Sequence, residues 1–198
     1  DVIHSYKIHD AVRDRATVRL TCEGRLVQLH LDNKMIGEDF EKITEDLDPD
    51  VTERLSRRWS ELKTVLEDLD RLDVIAKDVV YHFTEKKKVL KGKAMLAAST
   101  KLAAARYADI ISKIPGAPRC TCIISGMPQD LPDDASEKRK SREEIVSKHY
   151  KNKQEIDALI KQFKDEKNDL ELLIVCDMYL TGFDAPPTHT MYIDKLLR

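Results

Sequence analysis

The residues with the clearest potential for chemistry lie near the end of the sequence, in the stretch LLIVCDMYLTGFDAPP. Its apolar run, 172–176, has the composition of a strand buried on both faces. The run leads into Asp177 and then into Thr181, Gly182 and Asp184. At the carboxyl end of a strand, glycine lets the backbone approach a phosphate, threonine can donate to an anion, and an acid can accept from a ribose hydroxyl. The pattern predicts a phosphate-binding or nucleotide-binding loop, and a rigid structural loop is the alternative.

Two common nucleotide-binding signatures are absent from the sequence. Neither G-x-x-x-x-G-K-[ST] nor G-x-G-x-x-G occurs, so the chain is not expected to hold a nucleotide by itself. The histidines are scattered singly, without the spacing that aligns two rings on one helix face, and no metal site is expected.

Length and composition limit the fold and the class of partner. The chain has 198 residues, of which 41% are hydrophobic, enough for one large domain or a core domain with a helical annex. The charged fraction of 35% indicates long solvated helices. The net charge of -2 does not predict a nucleic-acid partner, so any basic surface must be a local patch.

The cysteines and the hydropathy pattern bear on the cellular compartment. No C-x-x-C pair occurs, and we expect buried, reduced thiols at Cys22, Cys120, Cys122 and Cys176. No apolar run approaches the ~20 residues that span a membrane, so a cytoplasmic protein without a membrane partner is expected.

The first half of the sequence predicts short strands and then charged helices. Strand-like pieces occur at 17–20 and 26–31, and Asp50 with Glu53 forms a capping-box pattern before a helix. A second helix is predicted from about Arg71, and it ends in the cations Lys86, Lys87 and Lys88. A helical connector is the favoured interpretation of this pair, and a basic surface that contacts phosphate is the alternative.

Beyond Gly92, strands and helices alternate. Ser99 and Thr100 follow a predicted strand and can cap the helix after it. This alternation predicts a mostly parallel sheet covered on both faces, with ligands beyond the carboxyl ends of its strands. The predicted strands are 94–98, 120–125, 170–176 and 189–193, a helix runs to about 113, a second helix includes 156–163, and a charged segment covers 136–153.

Three strings of the sequence carry a resemblance to a known family. LLIVCDMYLTGFDAPPTHTMYIDKLLR is similar to the segment that holds motif V in the restriction (R) subunit of type I restriction-modification enzymes, which are superfamily 2 translocases. GKAMLAASTKLAAARYADIISK is similar to their motif IV, and ATVRLTCEGRLVQLHLD resembles the segment that leads into their second motor domain. The resemblance implies an α/β RecA-like fold, with a parallel sheet, helices on both faces and a charged helical segment before it.

The domain organisation that the resemblance implies has three parts. Residues 1–33 would be a linker from the first motor domain, residues 34–91 a charged helical segment, and residues 92–198 the second motor domain, truncated before motif VI. The phosphate loop of the first motor domain and the nuclease domain would lie elsewhere in a longer chain.

The resemblance also implies roles for individual residues. Motif V couples ATP to nucleic acid across the cleft between the motor domains, and the residues implied for nucleotide binding and coupling are Asp177, Thr181, Gly182 and Asp184. Motif IV supplies the DNA-contact candidates, which are Ser99, Thr100, Lys101 and Arg106. For Lys101 and Arg106 a solvated helix face is the alternative. No complete catalytic centre is expected in this chain.

The implied activity is ATP-driven translocation along duplex DNA before cleavage. ATP and Mg²⁺ would be cofactors of the full-length subunit, with none tightly bound to this chain. The implied partners are double-stranded DNA, contacted at its phosphates, the first motor and nuclease domains of the same chain, and the modification and specificity subunits. One alternative is a RecA-like interaction module without motor activity. Half of an RNA helicase is disfavoured, because TGFDAPP lacks the arginine-glycine form of that family.

Overall fold

A computed structural model describes residues 7–25, 62–126 and 136–195. The chain forms two compact units, residues 1–30 and residues 31–198. The first unit contains helix α1 (Ile8–Arg13), at whose start the Lys7 amide donates to the Asp10 carboxylate at 3.0 Å.

The prediction of a strand at 17–20 is wrong. These residues are coil, and Val18 and Leu20 are 76% and 75% exposed. The described residues of this unit contain no strand, so the segment has no neighbouring strand with which to form a sheet. The piece predicted at 26–31 and the capping box at Asp50 lie outside the described residues.

The second unit has the predicted alternation of strands and helices, with small shifts at the boundaries. Among the described residues, its helices include α2 (Leu69–Lys87), α3 (Lys101–Ile111), α4 (Glu137–Ser147) and α5 (Lys153–Lys164). Its strands are β1 (Lys93–Ala98), β2 (Arg119–Ile123), β3 (Leu170–Val175) and β4 (Thr188–Asp194).

The four strands form one sheet in the order β2-β3-β1-β4, and every pair is parallel. In the centre, Leu96 of β1 lies opposite Ile174 of β3 on one side and Tyr192 of β4 on the other. All six residues of β1 are buried, as expected for a parallel strand with covered faces. The predicted α/β fold with a parallel sheet is confirmed.

Helices cover both faces of the sheet. On one face, α2 and α3 pack on the strands, and the 0%-exposed Ala103, Ala104 and Ala105 allow close approach of α3. On the other face, α5 places Phe163 against Leu173 and neighbouring β-strand residues. The helix α2, predicted as a packed connector, therefore shares the core of the sheet.

The charged segment 136–153 contains a helix that the sequence pattern did not predict. Ser136 caps α4 by accepting from the Arg139 amide at 3.4 Å. Ion pairs at helical spacing, such as Lys148 with Glu144 at 3.0 Å, support it. Among the described side chains of α4, only the hydrophobic residues Ile145 and Val146 pack against the core, so the hydrophobic period was too weak to identify this helix.

The apolar character of the helices is modest. Among the described residues, no helix combines the length and the hydrophobicity that crossing a lipid bilayer requires.

Candidate functional site

Four of the sequence-predicted site residues lie at one edge of the sheet, and they are Ser99, Thr100, Lys101 and Asp177. Because all four strands are parallel, their carboxyl ends meet there, followed by Thr100, Gly126, Asp177 and Lys195. The end of β4 is already occupied by a structural cluster, in which Asp194 accepts from the Tyr107 hydroxyl at 2.6 Å and from the Arg71 guanidinium. Burial raises the pKa of Tyr107, which keeps that hydroxyl a donor. A ligand at this edge would therefore lie beyond the carboxyl ends of β1, β2 and β3.

Asp177 is held at the start of the loop after β3. Its carboxylate forms an ion pair with Lys195, whose Nζ also donates to the Cys176 carbonyl at 3.2 Å. The Lys195 hydrogen bond, followed by a contact from the Cys176 thiol, lowers the pKa of Asp177. Asp177 therefore anchors the loop to the end of β4, and its coupling role stays a prediction.

The loop between β3 and β4 is fixed by its apolar residues. The Phe183 ring contacts the Tyr179 ring at 4.9 Å between centroids and stacks near Phe163 at 6.4 Å. Pro187 is buried, and its carbonyl accepts from the Lys93 amide at 2.8 Å. With these anchors, the loop presents polar positions to solvent, and the exposed ones include Thr181, Gly182 and Asp184.

Gly182 is required by its backbone conformation. Its φ is +67°, in the left-handed region that side chains disfavour, and a Cβ added there would meet nothing within 4 Å. No described residue therefore fills the space beside the Gly182 Cα.

Thr100 has a structural role that limits what it can bind. Its Oγ1 accepts from the Ala103 amide at 3.1 Å, which confirms the predicted cap of α3. The same hydroxyl donates its proton to Glu67 Oε1 at 2.7 Å. Glu67 thus accepts the hydroxyl proton, and DNA contact by Thr100 stays a prediction. Ser99, beside it, has a buried hydroxyl that lacks a hydrogen-bond partner among the described residues.

The two predicted cations of α3 point in different directions. Lys101 is exposed and lies at the carboxyl edge, where a Cβ on Gly126 would come within 3.2 Å of its Nζ. Arg106 is half-buried, and its Nη1 donates to the Glu67 carbonyl. Lys101 fits a phosphate contact better than Arg106 does.

The lysines at the end of α2 lie away from this edge. Lys87 forms an ion pair with Glu171, the second residue of β3, near the amino ends of the strands. Phosphate contact by Lys86, Lys87 and Lys88 would therefore involve the edge of the sheet opposite to the one at which Thr100, Gly126 and Asp177 lie.

A cavity of about 340 Å³ opens at the carboxyl ends of β1 and β2, between α3 and α4. Its cationic lining residues are Lys63, Lys101 and Arg142, and Glu143 is acidic. The sequence predicted only Lys101 among these. Lys63 and Arg142 were missed because each belongs to a charged helical stretch in which no spacing marks one cation from its neighbours. Polar lining comes from Thr100, Ser125, Gly126, Ser147 and Tyr150.

The cysteine thiols near this site are poor nucleophiles because they are buried. Burial raises the pKa of Cys122 to about 12 and that of Cys176 to about 11, so both stay protonated and poorly nucleophilic at neutral pH. The expectation that all four thiols are buried is wrong for Cys22, which is exposed because it lies in the coil of the first unit, and Cys120 is only half-buried. Among the described residues, no three His, Cys, Asp or Glu side chains group as metal ligands.

Comparison with known proteins gives two family matches. The model of a family described as type I restriction enzyme subunit R domain 3 matches residues 90–198. The model of the SWI2/SNF2 ATPase family matches residues 1–53.

Individual relatives match along nearly the whole chain. The type I restriction enzyme MjaIXP endonuclease subunit of Methanocaldococcus jannaschii is 34% identical over 200 residues, covering 100% of this chain and 18% of the relative. The type I restriction enzyme HindI endonuclease subunit of Haemophilus influenzae is 31% identical, covering 98% of this chain and 17% of the relative. This chain therefore spans about a fifth of the length of the relatives that it matches. The chain belongs to the type I restriction enzyme R subunit family.

Proposed function

We propose that this chain is the second motor domain of an ATP-dependent, DNA-translocating restriction subunit. In this role it couples ATP binding and hydrolysis, at the cleft between two motor domains, to movement along duplex DNA before cleavage. ATP and Mg²⁺ act in the complete subunit, and the modification and specificity subunits are partners. Support for the ATPase part comes from the match of residues 1–53 to SWI2/SNF2 ATPases.

The observation that carries the proposal is the cavity at the carboxyl edge of the parallel sheet. It places Lys63, Lys101 and Arg142 around the amino end of α3, where the helix dipole favours an anion. The motif V loop leaves the same edge after β3. A backbone phosphate of DNA fits this arrangement, because contacts made by lysine, arginine and helix amides position a duplex without reading its bases.

Binding by such a site is weak, independent of sequence and strongly dependent on salt. Non-specific affinities for duplex DNA lie at roughly 1–100 µM at physiological salt. The slope of log K against log salt reports the number of phosphates that the cations neutralise, about 0.9 for each phosphate contact.

Lys101→Gln tests the assignment. We expect this change to weaken binding of an arbitrary duplex about threefold and to reduce the salt slope by about one phosphate contact, because one cation is lost from the cavity. Fluorescence anisotropy across a salt titration measures both quantities.

Lys113→Gln is the matched control. Lys113 is exposed and follows the opposite end of α3, so the change removes the same charge away from the cavity. Equal losses in the two variants, or binding that discriminates between duplex sequences, would contradict the phosphate site. No duplex binding at all would favour an interaction module instead.

A further inference from the structure

Glu67 is a buried acid beside the cavity that neither sequence motif includes. It stands immediately before the cap of α2, and only 4% of its surface is exposed. A buried carboxylate is unfavourable unless it is paired and hydrogen-bonded, so its partners indicate what it does.

The partners of Glu67 come from two helices that border the cavity. From α3, Thr100 Oγ1 donates to Oε1 at 2.7 Å. From α4, Arg142 Nη2 donates to the same oxygen at 2.8 Å, and Arg142 Nη1 donates to Oε2. The Glu67 carbonyl accepts from Arg106 of α3. One residue thus holds the start of α3 and the middle of α4 on either side of the cavity.

These contacts fix the orientation of the Arg142 guanidinium. A guanidinium has five N–H donors in one plane, and the bidentate pair with Glu67 uses one donor on each Nη. Arg142 also lines the cavity, and its side chain is 30% exposed. The remaining N–H groups are therefore held in a plane that the carboxylate defines, beside the amino end of α3.

We propose that Glu67 is a positioning residue for a DNA phosphate in this cavity, acting through Arg142. The inference rests on the proposed DNA-binding function. The carboxylate orients the guanidinium, and the guanidinium donates its remaining N–H groups to the phosphate. Pre-orientation matters because arginine recognises phosphate through paired, directional hydrogen bonds, which a freely rotating cation forms less often.

A double-mutant cycle tests this inference on the full chain. The variants are Glu67→Gln, Arg142→Gln and the two combined, and the measurement is the dissociation constant for an arbitrary duplex at fixed salt, normalised to the folded fraction. We expect Glu67→Gln to weaken binding roughly tenfold alone and to have no further effect in the Arg142→Gln background. Equal losses in both backgrounds would show that Glu67 does not act through Arg142.

A second variant keeps the inference testable if Glu67→Gln does not fold. Arg142→Lys retains the charge and loses the bidentate geometry, so we expect affinity to fall about fivefold with an unchanged salt slope. Arg139→Lys is the control, since Arg139 is an exposed residue of the same helix that does not line the cavity.

The results separate the two proposals. Unchanged affinity in Arg142→Lys, together with weaker binding in Lys101→Gln, overturns the positioning role and leaves the phosphate site. If neither Arg142→Lys nor Lys101→Gln weakens duplex binding, or if the unaltered chain does not bind duplex at all, both the positioning role and the phosphate site are overturned.

Discussion

Gly92 lies immediately before β1, against the loop that ends in Pro187. A Cβ at Gly92 would lie 2.3 Å from His189 Cδ2 and 2.7 Å from the Pro187 carbonyl oxygen, and its φ is +149°. We expect Gly92→Ala to lower the free energy of unfolding by about 3 kcal/mol, because overpacking and an unfavourable φ each cost ~1–3 kcal/mol. Urea denaturation followed by circular dichroism measures the loss. Gly116→Ala is the matched control, since Gly116 has φ +74° with open space around it and should lose only about 1 kcal/mol. Equal losses would mean that close packing at Gly92 is unimportant.

Asp184 is the second residue whose replacement is informative. It is exposed, and no hydrogen bond or ion pair joins its carboxylate to the other described residues. In the complete restriction subunit, we expect Asp184→Ala to reduce DNA-stimulated ATP hydrolysis at least tenfold, because the acceptor is used when the motor domains close. The melting temperature should change little, because the free energy of unfolding should fall by about 1 kcal/mol or less. Glu166→Ala, at an exposed turn before β3, is the control. A destabilised Asp184→Ala protein with normal hydrolysis per folded molecule would remove the motif V loop from the coupling mechanism.

At the scale of the elements, Lys93 joins β1 to α5. It is only 2% exposed, and its Nζ donates to the carbonyls of Gln162 and Asp165 at 3.2 and 2.6 Å, at the end of α5. Lys93→Met removes the charged donor of two hydrogen bonds, to the Gln162 and Asp165 carbonyls, so we expect a loss of about 2 kcal/mol in the free energy of unfolding at pH 7. Lys91→Met, at an exposed neighbouring position, should change stability little. A loss of the same size in both variants would argue against the helix-end contact.

The pH dependence of the same variant gives a second measurement. Burial lowers the pKa of Lys93 in the folded chain below its usual 10.5. The unfolded chain therefore binds more protons in the interval between the lowered pKa and 10.5, and stability due to Lys93 rises with pH across that interval. We expect the stability difference between the original chain and Lys93→Met to widen as pH rises toward 10.5. A difference independent of pH would show that the ammonium is not penalised by burial.

At the scale of the whole molecule, we expect the chain to supply binding surfaces without a complete catalytic centre. Its sequence contains no phosphate loop, and the described residues contain no carboxylate cluster for a metal ion. We expect the purified 198-residue chain to bind duplex DNA and to show no ATP hydrolysis above background with Mg²⁺, because phosphoryl transfer needs the phosphate loop, metal ligands and an arginine in place together. A phosphate-release assay with and without duplex measures this. Turnover by the chain itself would contradict the proposal that it supplies one side of a shared site.

The sequence determined the fold class through local signals, and the place of the site stays a prediction. Neighbouring residues alone are enough to recognise the apolar runs of β1 and β3 and the hydrophobic period of α2. The same holds for the helix cap at Thr100. Gly182 was singled out in the sequence because it is a glycine, and its positive φ explains why a glycine is needed at this position. The helix α4 escaped prediction because its stability depends on its cap, its ion pairs and packing against a neighbour more than on an apolar stripe.

Only the tertiary structure decided which charged residues face the cavity. Glu67 and Arg142 are 75 residues apart, and both lie in stretches crowded with similar side chains. Their pairing follows from the parallel sheet, which brings the turn before α2, the start of α3 and the middle of α4 to one edge. The same geometry joins the Thr100 hydroxyl to Glu67, and DNA contact by Thr100 stays a prediction. Charge and spacing along the chain carry no information about such contacts, because the direction of a side chain is set by the packing of elements that are distant in sequence.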